Sequence, residues 1–222
     1  MLTNNQQHVI HMLTSLFFFP RKSLLTHISH SPFLLLCPTS QTSRGSLSLH
    51  NAIIMTETLN NILSSNVLKH IYTLDLTGLQ TLTDDMLLSV VKETGLQLRR
   101  LSVKNCRRLT DITIHSLCNH SSNLESIDIG GDYNIKPRTI IDLLKPQVIR
   151  RGRGLFTTLA LPHLTELHAG GIGPTGGWTN DFLPELFSLR NWIALSIGFS
   201  PYLTFEGWKS AIFDVESNHT AL

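Results

Sequence analysis

Two stretches of this chain carry the same figure, and the interval from Leu74 to Leu101 separates them. In residues 71–85, I-Y-T-L-D-L-T-G-L-Q-T-L-T-D-D, apolar and polar side chains alternate through Leu74 and Leu76. A turn comes next, and then an acidic helix start. In residues 98–117, L-R-R-L-S-V-K-N-C-R-R-L-T-D-I-T-I-H-S-L, Leu74 maps to Leu101, Leu76 to Val103, Leu79 to Cys106, Leu82 to Leu109 and Asp84 to Asp111. One strand and one helix of this length cannot bury their own apolar face. Repeated at a fixed spacing they must stack, and the stack fixes what the chain can become.

The rhythm continues. Ile127 and Ile135 come after Leu101 and Leu109 by an interval only one position shorter. The next step, from Ile127 to Leu167, is longer, with the excess around Arg150-Arg151-Gly152-Arg153-Gly154; insertions in repeat arrays fall in loops on one face. From Leu167 to Leu195 the interval returns to nearly its first value. The spacing predicts about five strand–helix repeats with Leu74, Leu101, Ile127, Leu167 and Leu195 inward. The strands should form one parallel sheet and the helices should lie outside it. Gly95 is placed to end the first helix, and Pro146 to stop the third. The fifth repeat is followed by no polar closing repeat, so the array is expected to be truncated or covered by a partner.

Composition changes sharply near Met55. Residues 1–54 hold no Asp or Glu and three basic residues, which leaves 15 basic against 16 acidic in the remainder. We therefore divide the chain into a disordered leader or targeting segment, 1–54, and a repeat domain, 55–222. The acid-free start fits mitochondrial or plastid targeting. Three scattered cysteines suit a reducing compartment, cytoplasmic or nuclear. Near-neutral charge gives no footprint for nucleic acid, and no apolar run reaches the length of a membrane-spanning helix.

Chemical motifs are weak. Cys106 lies near His115, Cys118 and His120, but no C-x2-C or H-x3-H pair is present, so a packing role is expected and no metal. Residues 171–176 match G-x-G-x-x-G, the dinucleotide fingerprint. Pro174 and Gly177 fall where a helix should open, and no acid stands at the ribose position. A nucleotide-binding enzyme using residues 170–177 therefore stands as the alternative to a widened turn. No catalytic residue and no cofactor are expected.

The pattern L-x-x-L-x-L-x-x-C-x-x-L-T-D is present as Leu98, Leu101, Val103, Cys106, Leu109, Thr110 and Asp111. It resembles the cysteine-containing leucine-rich repeat of F-box/leucine-rich-repeat proteins and antagonist-of-mitotic-exit-network proteins. The resemblance implies an α/β leucine-rich-repeat solenoid that recruits protein partners. Those partners would be a cullin-type ubiquitin-ligase adaptor or its substrates, with a part in cell-cycle regulation as the related role. Residues 1–70 contain neither the Trp nor the Leu-Pro pair of an F-box. Strand alternation places the partner-binding residues on the concave face: Asp75, Thr77, Arg100, Ser102, Lys104, Ser126, Asp128, Glu166 and His168. The expected function is non-catalytic protein recognition, with a truncated repeat protein lacking independent function as a further alternative.

Overall fold

The computed structural model describes residues 45–53, 56–63, 66–151, 154–173, 177–189 and 191–211. Six short strands form one parallel sheet: β1 (Ser46–Ser48), β2 (Thr73–Asp75), β3 (Arg100–Ser102), β4 (Ser126–Asp128), β7 (Glu166–His168) and β8 (Ala194–Ser196). Their order in the sheet is their order in the chain. Between β4 and β7 the antiparallel pair β5 (Gln147–Arg151) and β6 (Gly154–Thr158) makes a separate hairpin. The extra residues of the long repeat therefore fold into a ribbon of their own, not an open loop; residues 152 and 153 at its tip lie outside the described residues.

The register is that of the sequence repeat. Leu47, Leu74, Leu101, Ile127, Leu167 and Leu195 stand side by side across the sheet. All but Leu195 are buried. A second inward set, Leu49, Leu76, Val103, Ile129, Ala169 and Ile197, is buried behind them. Each fully buried Leu or Ile contributes about 1.5–3 kcal/mol, and the neighbouring coils supply the burial. The chain is an α/β solenoid of the leucine-rich-repeat kind.

One boundary moves. Residues 45–53 belong to the solenoid, although composition assigns them to the leader. Leu47, Leu49 and Ala52 are buried and stand one full repeat before Leu74, Leu76 and Leu79, so the sheet has six strands where five were expected. The absence of acids in this stretch concerns its outward positions; its inward positions keep the repeat. Residues 1–44 and 212–222 lie outside the described residues, and with them most of the expected leader and the last part of the expected uncapped end.

Outside the sheet run α1 (Thr56–Leu63), α2 (Asp84–Thr94), α3 (Asp111–His120), α4 (Pro137–Leu144) and α5 (Leu183–Leu189), and a last helix covers 205–211. Helix α2 buries Met86, Leu87, Val90 and Val91, one apolar stripe facing the sheet. It ends at Gly95, whose φ of 54° lies in the left-handed region and whose N–H reaches Val91 O. Pro137 opens α4, and the helix stops just short of Lys145-Pro146. In α3, Ile112 turns outward and Ile114 and Leu117 face the core.

The Thr-Asp pairs 83–84 and 110–111 tie their coils to the next. Thr110, the N-cap of α3, accepts from Ile112 N at 3.2 Å and donates through Oγ1 to Asp84 Oδ2 at 2.8 Å. The Thr110 amide and the Thr113 hydroxyl both donate to Asp84 Oδ1, at 3.0 and 2.6 Å. The acid that begins one helix therefore holds the start of the next one. Asp111 repeats the device on the Lys136 amide, at 2.8 Å. Asp84→Ala should cost ~2 kcal/mol, because it strands three donors around a helix start. The neighbouring Asp85→Ala, at an exposed position, should stay within ~0.5 kcal/mol of the parent. Urea unfolding followed by circular dichroism separates the two, and equal midpoints would remove the clamp from the account.

Candidate functional site

Because the strands pair in one-to-one register, outward side chains form columns across the concave face. One column runs Ser46, Thr73, Arg100, Ser126, Glu166, Ala194, and a second runs Ser48, Asp75, Ser102, Asp128, His168, Ser196. Eight of the nine residues expected to bind a partner fall on this face or its rim. Arg100 and Lys104 are exposed; Asp75, Ser102, Ser126, Asp128, Glu166 and His168 are half-buried.

Thr77 corrects the expectation. It is 7% exposed, and its Oγ1 lies 2.6 Å from Ser102 Oγ. Its hydroxyl meets Ser102 of the next coil, in the same outward column as Asp75, so Thr77 is covered by the array and not free for a partner. The acids are also less available than their positions suggest. Asp75 accepts from the Thr77 amide at 3.0 Å and from Ser48 Oγ at 3.1 Å, with His50 Nδ1 3.5 Å away. Asp128 accepts from the Gly130 amide at 3.0 Å. Each carboxylate thus stabilises the turn leaving its own strand, as Asp side chains do two residues back from a free amide. Arg100 and Lys104, by contrast, make no ion pair among the described residues.

Past the strands, the turns line a groove of about 560 Å³. Its floor is glycine: Gly130 and Gly131 from one coil, Gly170, Gly171 and Gly173 from the next. Lys104, Asn105, Asp128 and Tyr133 edge one side, and His168, Ser196 and Phe199 the other. The sequence reading missed Tyr133 and Phe199. The missed signal lay in the repeat register, because Asn51, Gly78, Asn105, Gly131, Gly171 and Phe199 are successive equivalents and all have positive φ. A side chain at Gly131 would run into Asn105 Oδ1, and one at Gly78 into Asn51 Oδ1.

The described glycines of the glycine-rich stretch take turn conformations. Gly173 and Gly177 have φ of 84° and 72°, and a methyl at Gly173 would meet Gly177 Cα at 3.2 Å. Residues 174–176 lie outside the described residues; beyond Gly177 comes the buried Trp178, whose Nε1 donates to Ala169 O at 2.7 Å. The short 3-10 turn Asn180–Phe182 then leads into α5. Among the described residues, no three His, Cys, Asp or Glu side chains group to hold a metal ion, and no helix is long and apolar enough to cross a membrane.

Cys106 lies inside the coil. Its Sγ donates to Leu76 O of the preceding repeat at 3.1 Å, and burial, with Asp132 beside it, pushes the thiol up to about 12. A thiol held neutral at that level is a poor nucleophile and a weak backbone donor.

No protein-family model and no curated protein matches the chain. Among solved structures, the tropomodulin C-terminal domain of Caenorhabditis elegans is similar, with a TM-score of 0.47 and 12% identity over 75% of this chain and 98% of that one.

The equivalent of Cys106 in the third repeat is Asp132, an acid at a position that is Leu79 in the first repeat and Ile172 in the fourth. It is fully buried, and neither carboxyl oxygen has a hydrogen-bond partner among the described residues. Burial pushes it up to about 8, with the nearby Cys106 backbone offsetting this in part and Asp128 adding to it. Folded, the group holds its proton to about pH 8; unfolded, it releases it near the ordinary 3.8. Its contribution to stability is therefore complete below the unfolded value and is lost as pH rises toward 8. Melting temperature should fall from about pH 5 to about pH 8, by the equivalent of ~1 kcal/mol per pH unit. Asp132→Asn should flatten that slope and melt higher at neutral pH; an unchanged slope in the variant would assign the pH dependence to another group.

Proposed function

We infer that this protein is a non-catalytic recognition module that binds another protein on its concave face. The observation that carries the reading is the pair of outward columns, polar except at Ala194, with Arg100 within the first and Lys104 just past the end of β3. These two cations lack ion partners among the described residues, unlike Arg99, whose Nη1 lies 2.7 Å from Glu125 Oε1. Pre-placed, unpaired charges on a rigid sheet favour steering and selectivity at little ordering cost. The resemblance of the repeats extends the proposal to substrate recognition in a cullin-type ubiquitin ligase or a related cell-cycle role. The nucleotide-binding alternative has less behind it. Among the described residues, the glycine stretch is followed by a buried Trp178 and a 3-10 turn and not directly by the helix N-terminus that holds a pyrophosphate.

Asp128 is a poor choice for a test, because it holds the Gly130 amide. Arg100→Glu combined with Lys104→Glu reverses two exposed charges and should leave stability within ~0.5 kcal/mol per site. Affinity capture from cells with the parent should recover a protein that the double variant loses at unchanged melting temperature. Retention of the same partners by the double variant would move the site off this face. Recovery of a cullin adaptor with the parent supports the ligase role, and a reproducible partner set without one removes it.

A further inference from the structure

We propose that the glycine-floored groove takes an extended peptide of a protein partner, reading an acidic residue at Lys104 and an aromatic or large aliphatic residue at Phe199. This inference rests on the concave face being the recognition surface and names what it recognises.

The first observation is Phe199 itself. Of the six equivalent positions with positive φ, five hold Asn or Gly, the residues that tolerate the left-handed region. The sixth holds Phe at φ 61°, 96% exposed. A bulky side chain in that conformation is an outlier, and strain of this sort persists where function uses the residue. Packing does not offset it, since the ring is bare. Its Cβ stands 3.7 Å from where a methyl on Gly171 would lie, so the ring rises directly beside the groove floor. Tyr133, 53% exposed, edges the same groove from the coil of β4.

The second observation is charge. Lys104 closes the far end; Arg107 and Arg108, exposed but outside the groove lining, follow in the same coil, and none of the three has an ion partner among the described residues. The one carboxylate lining the groove, Asp128, is committed to the Gly130 amide. Glu166 sits at the other end of its strand, outside the groove lining. The unbalanced charge is therefore positive and complements an acidic segment. A nucleic acid would also bring anions and stacking rings. The near-neutral chain and the half-buried acids of the same face disfavour a polyanion, which leaves peptide as the better occupant.

The third is spacing. Lys104 and Phe199 come just after β3 and β8, three strand intervals apart in the sheet order. At ~4.8 Å each this is ~14 Å, the reach of about four extended residues. The glycine floor between them lets a backbone lie close.

The test selects a phage-displayed library of random dodecapeptides on the full chain, then measures enriched peptides by fluorescence anisotropy. The expected peptides carry Asp or Glu about four residues from an aromatic or large aliphatic residue. Phe199→Gly and Lys104→Glu should each weaken them about tenfold or more, the size of a binding hot spot. Phe199→Gly relieves the strained backbone, so it should melt no lower than the parent; loss of binding then cannot be charged to unfolding. Enriched peptides that ignore Phe199→Gly, that lack the acid, or that an oligouridylate outcompetes would overturn the proposal. So would a library from which nothing is enriched. In that event a partner lost on Arg100→Glu with Lys104→Glu would still stand, and the recognition role would survive without the peptide groove.

Discussion

Lateral contact between successive coils is what the structure depends on. A coil here is a short strand, a turn and a helix of two or three turns, and none of these can stand alone. Leu74 is covered because Leu47 and Leu101 flank it, and Leu101 because Leu74 and Ile127 do. Cooperativity therefore runs along the array from neighbour to neighbour. Polar groups obey the same rule. Asp84 holds Thr110, Asp111 holds Lys136, and Cys106 donates to Leu76 O, each across one coil boundary.

The recognition surface is a by-product of that contact. Inward residues in register force their outward neighbours into register too, so a small polar residue in each coil becomes part of a column. Such a surface varies without disturbing the core, and its acids can be committed to the turns, as Asp75 and Asp128 are. The places where the chain departs from its own repeat are the informative ones. Asp132 puts a carboxyl where other coils put Ala, Leu, Cys, Ile or Ser, and Phe199 puts a ring where they put Asn or Gly.

Much of this was legible in one sequence. The inward positions from Leu74 to Leu195 were readable because a nearly constant period leaves only one register in which apolar residues meet. The role of Cys106 came from its equivalence to Leu79. The same arithmetic applied to Leu47 and Leu49 locates the first strand, but the acid-free composition around them obscured it. Thr77 was read as free because alternation gives the direction of a side chain and not whether the next coil covers it, and the Ser102 hydroxyl takes it up.

Periodicity by itself determined the solenoid, the register of its sheet and the direction of most side chains, because these come from local patterning and from the need of each coil for a neighbour. Only the tertiary structure decided which polar groups are already engaged, since Asp84 and Thr110, or Thr77 and Ser102, meet across distances in sequence that no local rule measures. It also decided the groove. Lys104 and Phe199 are far apart in the chain and come to one surface only after the coils between them have stacked, leaving a floor of glycine backbone and one ring held where a glycine would sit more easily.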